Sequence, residues 1–432
     1  MRVLLWATHL QTDILSLACH LDRSPVVALM IVVPDPAAFL RSPFARARPL
    51  RALLLDRNDA ATPARVRAFR ADVAVADNHV PPRGSAPRLC YMWHGLGWKA
   101  RSRIDLDIFY RQVRAMIGAD PRTPTPNFTA QCYGPTDLEW RVRNWKLPRT
   151  ACALIGMAFS DLLLRPPYAK EDFAADYKID ILRRKTVLLS ITWHHGGIFA
   201  QSPGFGRMVR GLFGQAPFNA RDAEFLRRIV ETVDRRGANL LICLHDRHRY
   251  DPGFVAWIEK LAGQHDFVEL RLKSEHPDNL PDLLTADVML SNLSSFLAYF
   301  YVLGRPAVQI LPVEPGARVE RTVMLFSRFR LRRGISADDA WMIDPRDTGG
   351  PVVTNADQAM AALDGALEEP EHGAAAARDW LSRHVPVIDG AACLRFEQHL
   401  RRFCGEIPSL GLDKGSDPDS AAPVGAKEGL SC

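Results

Sequence analysis

The chain has 432 residues, 47% hydrophobic and 24% charged, a globular balance too long for one ordinary core and suited to two domains. No apolar run approaches the ~20 residues that cross a bilayer, and the apolar N-terminus is too short for a secretory signal, so the expected location is the cytoplasm or the inner face of the plasma membrane. A net charge of +6, with arginine clusters at Arg41, Arg46, Arg48 and Arg51 and at Arg328, Arg330, Arg332 and Arg333, suits a phosphate polymer or an anionic membrane surface, or else is a solvated basic face. No helix-turn-helix or RNA-binding aromatic motif accompanies the arginines, so no nucleic acid is expected.

In chain order, residues 2–8 read as a buried strand and Asp13–Leu21 as an amphipathic helix. Pro25–Val33, Arg51–Asp56, Asp72–Ala76 and Arg88–Trp93 are further apolar runs, with a helix at Thr62–Phe69. This alternation predicts a parallel sheet covered by helices, with ligands at the carboxyl ends of the strands. After a basic stretch come a strand at Ala130–Tyr133, a helix at Thr136–Trp145 with Thr136 and Glu139 as a capping box, and a strand entering a glycine turn at Ala153–Asp161. Pro166 to Lys185 reads as a linker. A second alternating unit follows: strands at 186–192, 238–244, 267–272, 288–291 and 307–311, with helices at 223–236, 279–286 and up to Leu303. Helices around Gln358–Leu367 and Ala391–Phe403 close the fold, and the tail from Gly405 reads as disordered. The expected division is 1–165, 166–404 and a tail 405–432.

Four stretches carry chemistry. In Tyr91-Met92-Trp93-His94-Gly95-Leu96-Gly97-Trp98-Lys99 a strand delivers a His-Gly corner to a loop mouth, where His94 can act as a base and Lys99 can hold a phosphate. The plainer reading is a loop histidine. In Ser291-Asn292-Leu293-Ser294-Ser295 a strand meets a helix start whose N–H groups and hydroxyls suit a phosphate, although capping alone explains one of its polar residues. His245 leaves a buried strand with Arg247 and His248 close behind, a diphosphate-facing cluster, an acid/base group or a satisfied structural histidine. Trp193-His194-His195-Gly196-Gly197 offers a glycine pair after a strand, its histidines more often exposed than functional. The eight cysteines form no C-x-x-C pair, so neither zinc ribbon nor disulfide framework is indicated, and no metal or cofactor is expected.

Taken together, these stretches resemble the CDP-glycerol glycerophosphotransferase family of teichoic-acid and capsule polymer enzymes. The family's W-H-G-T-x-x-K reads here Trp93-His94-Gly95-Leu96-Gly97-Trp98-Lys99, and its G-Y-P-R-x-D is loosely Gly156-Met157-Ala158-Phe159-Ser160-Asp161. K-x-H-P is matched by Cys243-Leu244-His245-Asp246, and T-D-Y-S-S by Ser291 to Ser295, followed by Gly304-Arg305-Pro306. Asp389-Gly390-Ala391 to Arg395 resembles the closing D-G-x-x-x-x-R. The Thr, Pro and Asp of three motifs are Leu96, Asp246 and Asn292 here, departures that bear on substrate more than on fold.

The resemblance implies a GT-B type α/β fold, two Rossmann-like domains with parallel sheets facing across a cleft. It implies a CDP-activated polyol donor, transfer of polyol phosphate to a polyol-phosphate or lipid-linked acceptor, and release of CMP. His94 and His245 would be catalytic. Gly95, Lys99, Gly156, Asp161, Arg247, Asn292, Ser294 and Ser295 would bind substrate. A GT-B glycosyltransferase using a UDP- or GDP-sugar is the alternative, and a non-catalytic module that recognises a phosphate polymer is a third reading.

Overall fold

The computed structural model describes residues 1–93, 95, 96, 98, 103–190, 220–244, 252–292, 294–311, 319–325, 329–335 and 342–406. Its first sheet contains β1 (Arg2–Trp6), β2 (Ala28–Val33), β3 (Leu53–Asp56), β4 (Val73–Ala76), β5 (Leu89–Tyr91), β6 (Phe128–Cys132) and β7 (Cys152–Leu154). All are parallel, in the order β3-β2-β1-β4-β5-β6-β7. The second sheet contains β8 (Thr186–Ser190), β9 (Asn239–Leu244), β10 (Val268–Leu272), β11 (Val288–Ser291) and β12 (Ala307–Ile310). An antiparallel hairpin follows, β13 (Val319–Leu325) with β14 (Phe329–Ile335), and β15 (Val352–Val353) then completes the second sheet in the order β10-β9-β8-β11-β12-β15.

The local chemistry explains the strands. Val3, Leu4, Leu5 and the whole of Val73–Ala76 are apolar and buried, as are Val187, Leu188 and Leu189 in β8. A strand covered by helices on both faces has no polar face to present, so it reads as a continuous hydrophobic run. Each sheet starts at its centre, builds outward on one side and then returns to the other. Each therefore has a switch point, between β1 and β4 and between β8 and β11. This is the expected two-Rossmann, GT-B type architecture.

Several expectations need correction. Pro166 to Lys185 does join the sheets, but as a packed segment: Tyr168, Phe173, Tyr177, Ile179 and Ile181 are buried in the large core cluster. Its intervening charges made it look like a solvated linker. The last helix, Ala392–Phe403, was expected with the second domain but packs on the first. Its buried Phe396 and Leu400 share a core with Leu17 and Leu21, and Glu397 binds His20 at 2.8 Å and accepts from Ser24 at 3.0 Å. An amphipathic stripe says that a helix covers something; it does not say which sheet.

The Thr136 capping box is not formed. Gly134 is the N-cap and Pro135 opens the helix Pro135–Asn144, since proline's fixed φ suits the first helical position. Thr136 instead bonds His384 Nδ1 at 2.9 Å, and Glu139 pairs with Arg149. The helix Glu371–His384 and the β13–β14 hairpin had no counterpart in the sequence reading. Arg46 is engaged with Asp176 at 2.5 Å, while Arg330, Arg332 and Arg333 lie in β14 and Arg328 lies outside the described residues.

Candidate functional site

Two of the sequence stretches meet at the domain boundary. After β5 the Met92 N–H donates to Ala76 O at 2.8 Å, and the chain turns at Gly95 with φ +122°. A Cβ at that position would lie 2.7 Å from Ser295 Oγ and 2.9 Å from the Tyr299 hydroxyl. Both the left-handed backbone and the close approach therefore demand glycine. The surface it touches is the first turn of the helix Ser295–Val302, which starts just past β11 at the switch point of the second sheet. Ser294 caps that helix, its hydroxyl accepting from Phe296 N–H at 3.2 Å, and Asn292 is fully buried. The Ser291 hydroxyl donates to Ser190 O at 2.6 Å, tying β11 to β8.

A buried carboxylate braces the corner from behind. Gly95 N–H donates to the Tyr133 hydroxyl at 2.8 Å, and that hydroxyl lies 3.0 Å from both Trp93 O and Asp13 Oδ2. The Tyr299 hydroxyl, from the second domain, donates to the same Oδ2 at 2.5 Å, while Oδ1 accepts from Phe159 N–H at 2.8 Å. Burial pushes the Asp13 carboxyl up to about 6, against the pull of the Tyr299, Phe159 and Tyr133 donors. The same burial pushes both phenols well above their usual range, so both are neutral donors at physiological pH.

The far side of the stretch is anchored in the second domain. Trp98 is fully buried and stacks on Trp380 at 5.3 Å between ring centroids. Both indole N–H groups donate to Asp347 O, each at 3.0 Å, and Trp98 O accepts from Met342 N–H at 2.7 Å. The Asp347 carboxylate binds Arg383 at 2.7 Å and His384 Nε2 at 2.9 Å. The stretch is thus held through Trp93 O and Gly95 N–H by the Tyr133 hydroxyl, and at Trp98 by Trp380, Asp347 and Met342.

Gly156 and Asp161 are placed elsewhere. A Cβ at Gly156 (φ +96°) would meet an Arg395 guanidinium nitrogen at 3.2 Å, and Arg395 Nε donates to Ile155 O at 2.9 Å. Asp161 accepts from Ala392 N–H at 3.0 Å and Cys393 N–H at 2.8 Å, satisfying the first donors of the last helix. The two stretches that resemble the family's second and closing motifs therefore pair with one another and dock the last helix. His94, Lys99, His245, Arg247 and the stretch Trp193 to Gly197 lie outside the described residues.

The sequence reading missed Asp13, Tyr133, Tyr299 and the anchoring role of Trp98. An acidic residue in the first turn of a helix ordinarily complements the helix dipole at the surface, so Asp13 carries no signal of burial. Among the described residues no group of three or more His, Cys, Asp or Glu is arranged to hold a metal, and no helix is long and apolar enough to cross a membrane.

At the level of sequence, no family model and no curated protein matches this chain. Solved structures do match. The wall teichoic acid polymerase TagF superposes with a TM-score of 0.61 at 12% identity, over 94% of this chain and 89% of that one. MnaA of S. aureus, in a co-structure with UDP, gives 0.53 at 11% identity over 94% and 98%. UDP-GlcNAc 2-epimerase from Neisseria meningitidis, bound to UDP-GlcNAc, gives 0.50 at 12% over 93% and 100%. The chain therefore shares with TagF the fold of two Rossmann-like domains facing across a cleft.

Proposed function

We propose that this protein transfers a polyol phosphate from a CDP-activated polyol, of the CDP-glycerol class, to an acceptor hydroxyl, releasing CMP. The observation that carries the reading is the contact between the Gly95 corner of one domain and the Ser294–Ser295 helix start of the other. That contact joins a stretch bearing a candidate base to a helix N-terminus, whose positive dipole end suits a phosphoryl transfer. The fold shared with TagF, one of whose structures was soaked with CDPG, supports the same donor.

In this mechanism His94, as the neutral imidazole, takes the proton of the acceptor hydroxyl. The oxygen attacks the phosphorus that carries the polyol. A P–O bond forms there as the bond to the bridging oxygen breaks, and CMP leaves as the anion. The helix N-terminus at Ser294 and Ser295, with Lys99, His245 and Arg247, offsets the charge that develops on the diphosphate. The acceptor is a polyol-phosphate or lipid-linked chain, and the basic clusters would suit it or an anionic membrane surface near it. The direct test is CMP release from CDP-glycerol and CDP-ribitol, with His94→Ala beside the wild type. Release abolished in the variant is the expected result, and silence with both donors in the presence of a lipid-linked acceptor would sink the reading.

A second reading, glycosyl transfer from a nucleotide sugar, is favoured by one specific observation. Asn292 is fully buried where the resembled family carries an aspartate, and MnaA with UDP has the same fold. Release of UDP or GDP from a nucleotide sugar, with none of CMP, is the outcome that would select it.

A further inference from the structure

The amino edge of the first sheet carries a basic pocket of about 430 Å³. Ala71 lies just before β4, Ala86 just before β5, and Met116 in the last turn of the helix Arg103–Ile117; all three are buried and line it. The Gly95 corner leaves the opposite, carboxyl edge, roughly 13 Å away along β4. Three arginines complete the lining, Arg67 and Arg70 from the end of one helix and Arg83 from the turn ahead of β5, and no carboxylate accompanies them.

Local sequence places each arginine. The helix Thr62–Phe69 is closed by Arg70, whose N–H donates to Arg67 O at 3.2 Å and whose φ is +51°. Glycine ordinarily closes a helix in that left-handed region, so an arginine there keeps its side chain at the expense of a strained backbone. Arg83 sits in a turn closed by Ser85 N–H on Pro82 O at 3.2 Å, with Gly84 at φ +81° in the third position, where a type II turn needs glycine.

The three guanidinium groups are not otherwise engaged. Arginines at a helix end commonly serve its last carbonyls. Here Phe69 O accepts from Arg2 Nη1 at 3.0 Å, and Arg67 O from the Arg70 amide. Among the described residues the Arg67, Arg70 and Arg83 side chains make no ion pair or hydrogen bond, whereas Arg114 and Arg122 share Asp120. Ser85, only 6% exposed, lines the same pocket, and its hydroxyl has no partner among the described residues. Buried hydroxyls are nearly always bonded, so the pocket holds a donor set without an acceptor.

We propose that this pocket binds a phosphate group carrying two or more negative charges, a phosphomonoester or a diphosphate, apart from the reaction cleft. Three permanent positive charges exceed what one carboxylate would balance. Guanidinium forks and a hydroxyl suit the several oxygens of a tetrahedral phosphate. The apolar lining gives the charges a low-dielectric wall, which strengthens their hold on an anion. A soluble phosphate compound and a lipid headgroup present this same chemistry.

The test uses the full chain, with inorganic diphosphate as the soluble probe and vesicles of phosphatidylcholine, with or without phosphatidic acid, as the headgroup probe. Calorimetry should show diphosphate bound by wild type and about tenfold more weakly by Arg83→Gln and Arg70→Gly, as expected for loss of a charge-assisted bond. Arg70→Gly is the decisive variant. Glycine fits φ +51° without strain, so its Tm should equal or exceed that of wild type while binding falls. Sedimentation with vesicles that requires phosphatidic acid, and is lost in the same variants, would assign the phosphate to a lipid headgroup. Diphosphate binding without such sedimentation would assign it to a soluble compound. Wild type that binds neither probe, or variants that bind as tightly as wild type, would overturn the assignment.

Discussion

Asp13 and Tyr299 meet at 2.5 Å, a carboxylate from the first helix of one domain and a phenol from the switch-point helix of the other. Through Tyr133 the same carboxylate reaches the amide of Gly95, so the corner and the surface it touches are tied to one buried oxygen atom. The preorganisation of the candidate site is concentrated there, in groups that have no part in the chemistry itself.

The first prediction concerns that carboxylate and pH. The Asp13 carboxyl is raised by burial from 3.8 to about 6, so the folded protein holds its proton more tightly than the unfolded chain does. Its contribution to stability is therefore fully present below pH 4, falls as pH rises towards 6, and is level above. Urea unfolding of wild type and Asp13→Asn, run from pH 4 to pH 8, should show the stability difference shifting by about 2 kcal/mol, most of it over the lower half of that range. A difference independent of pH would mean that Asp13 does not titrate in this window.

Gly95→Ala is expected to be the most damaging small substitution. It places a methyl group against Ser295 and Tyr299 and forces a side chain into backbone at φ +122°, a strain of roughly 1–3 kcal/mol before the clash is counted. Turnover should fall on the order of 100-fold, because a displacement near 1 Å of a catalytic group has that effect. Full activity in a folded Gly95→Ala protein would separate the corner from the reaction.

Trp98 tests the anchor. Trp98→Phe keeps an aromatic ring over Trp380 but loses the bond to Asp347 O, costing about 1 kcal/mol of stability. Trp98→Ala opens a cavity in a fully buried position and should cost about 3–5 kcal/mol. The informative comparison is kcat in the Phe variant. A fall larger than the stability loss explains would show that the far end of the loop is positioned through Trp98, and an unchanged value would confine Trp98 to packing.

Asp161 separates the two roles that its sequence context allows. As the acceptor of the Ala392 and Cys393 amides it should, when changed to Ala, lower stability by about 1–2 kcal/mol and leave both substrate KM values where they were. A donor KM raised tenfold in a stable Asp161→Ala protein would restore the substrate-binding role that its resemblance to the family motif implies.

Much of the fold was legible because its signals are local. Continuous apolar runs such as Val73–Ala76 and Val187–Leu189 suit strands covered on both faces, and their alternation with helices points to parallel sheets, as observed. The Gly95 turn and the Ser294 helix start could also be located, since a positive φ and an N-cap each leave a residue type behind. The sequence alone therefore determined two Rossmann-like units and two of the surfaces that face each other. Only the tertiary structure decided that Asp13 is buried between two phenols and that Asp161 docks a helix some 230 residues away in the chain. It alone also decided that Thr8 joins Asp77 and His79 by hydrogen bonds. These are long-range pairings of single polar residues, and a lone carboxylate on a helix or after a strand reads the same whether water or a tyrosine will satisfy it. Burial converts such a residue from surface decoration into a fixed acceptor, and burial is a property of the packed sheets, not of the residue.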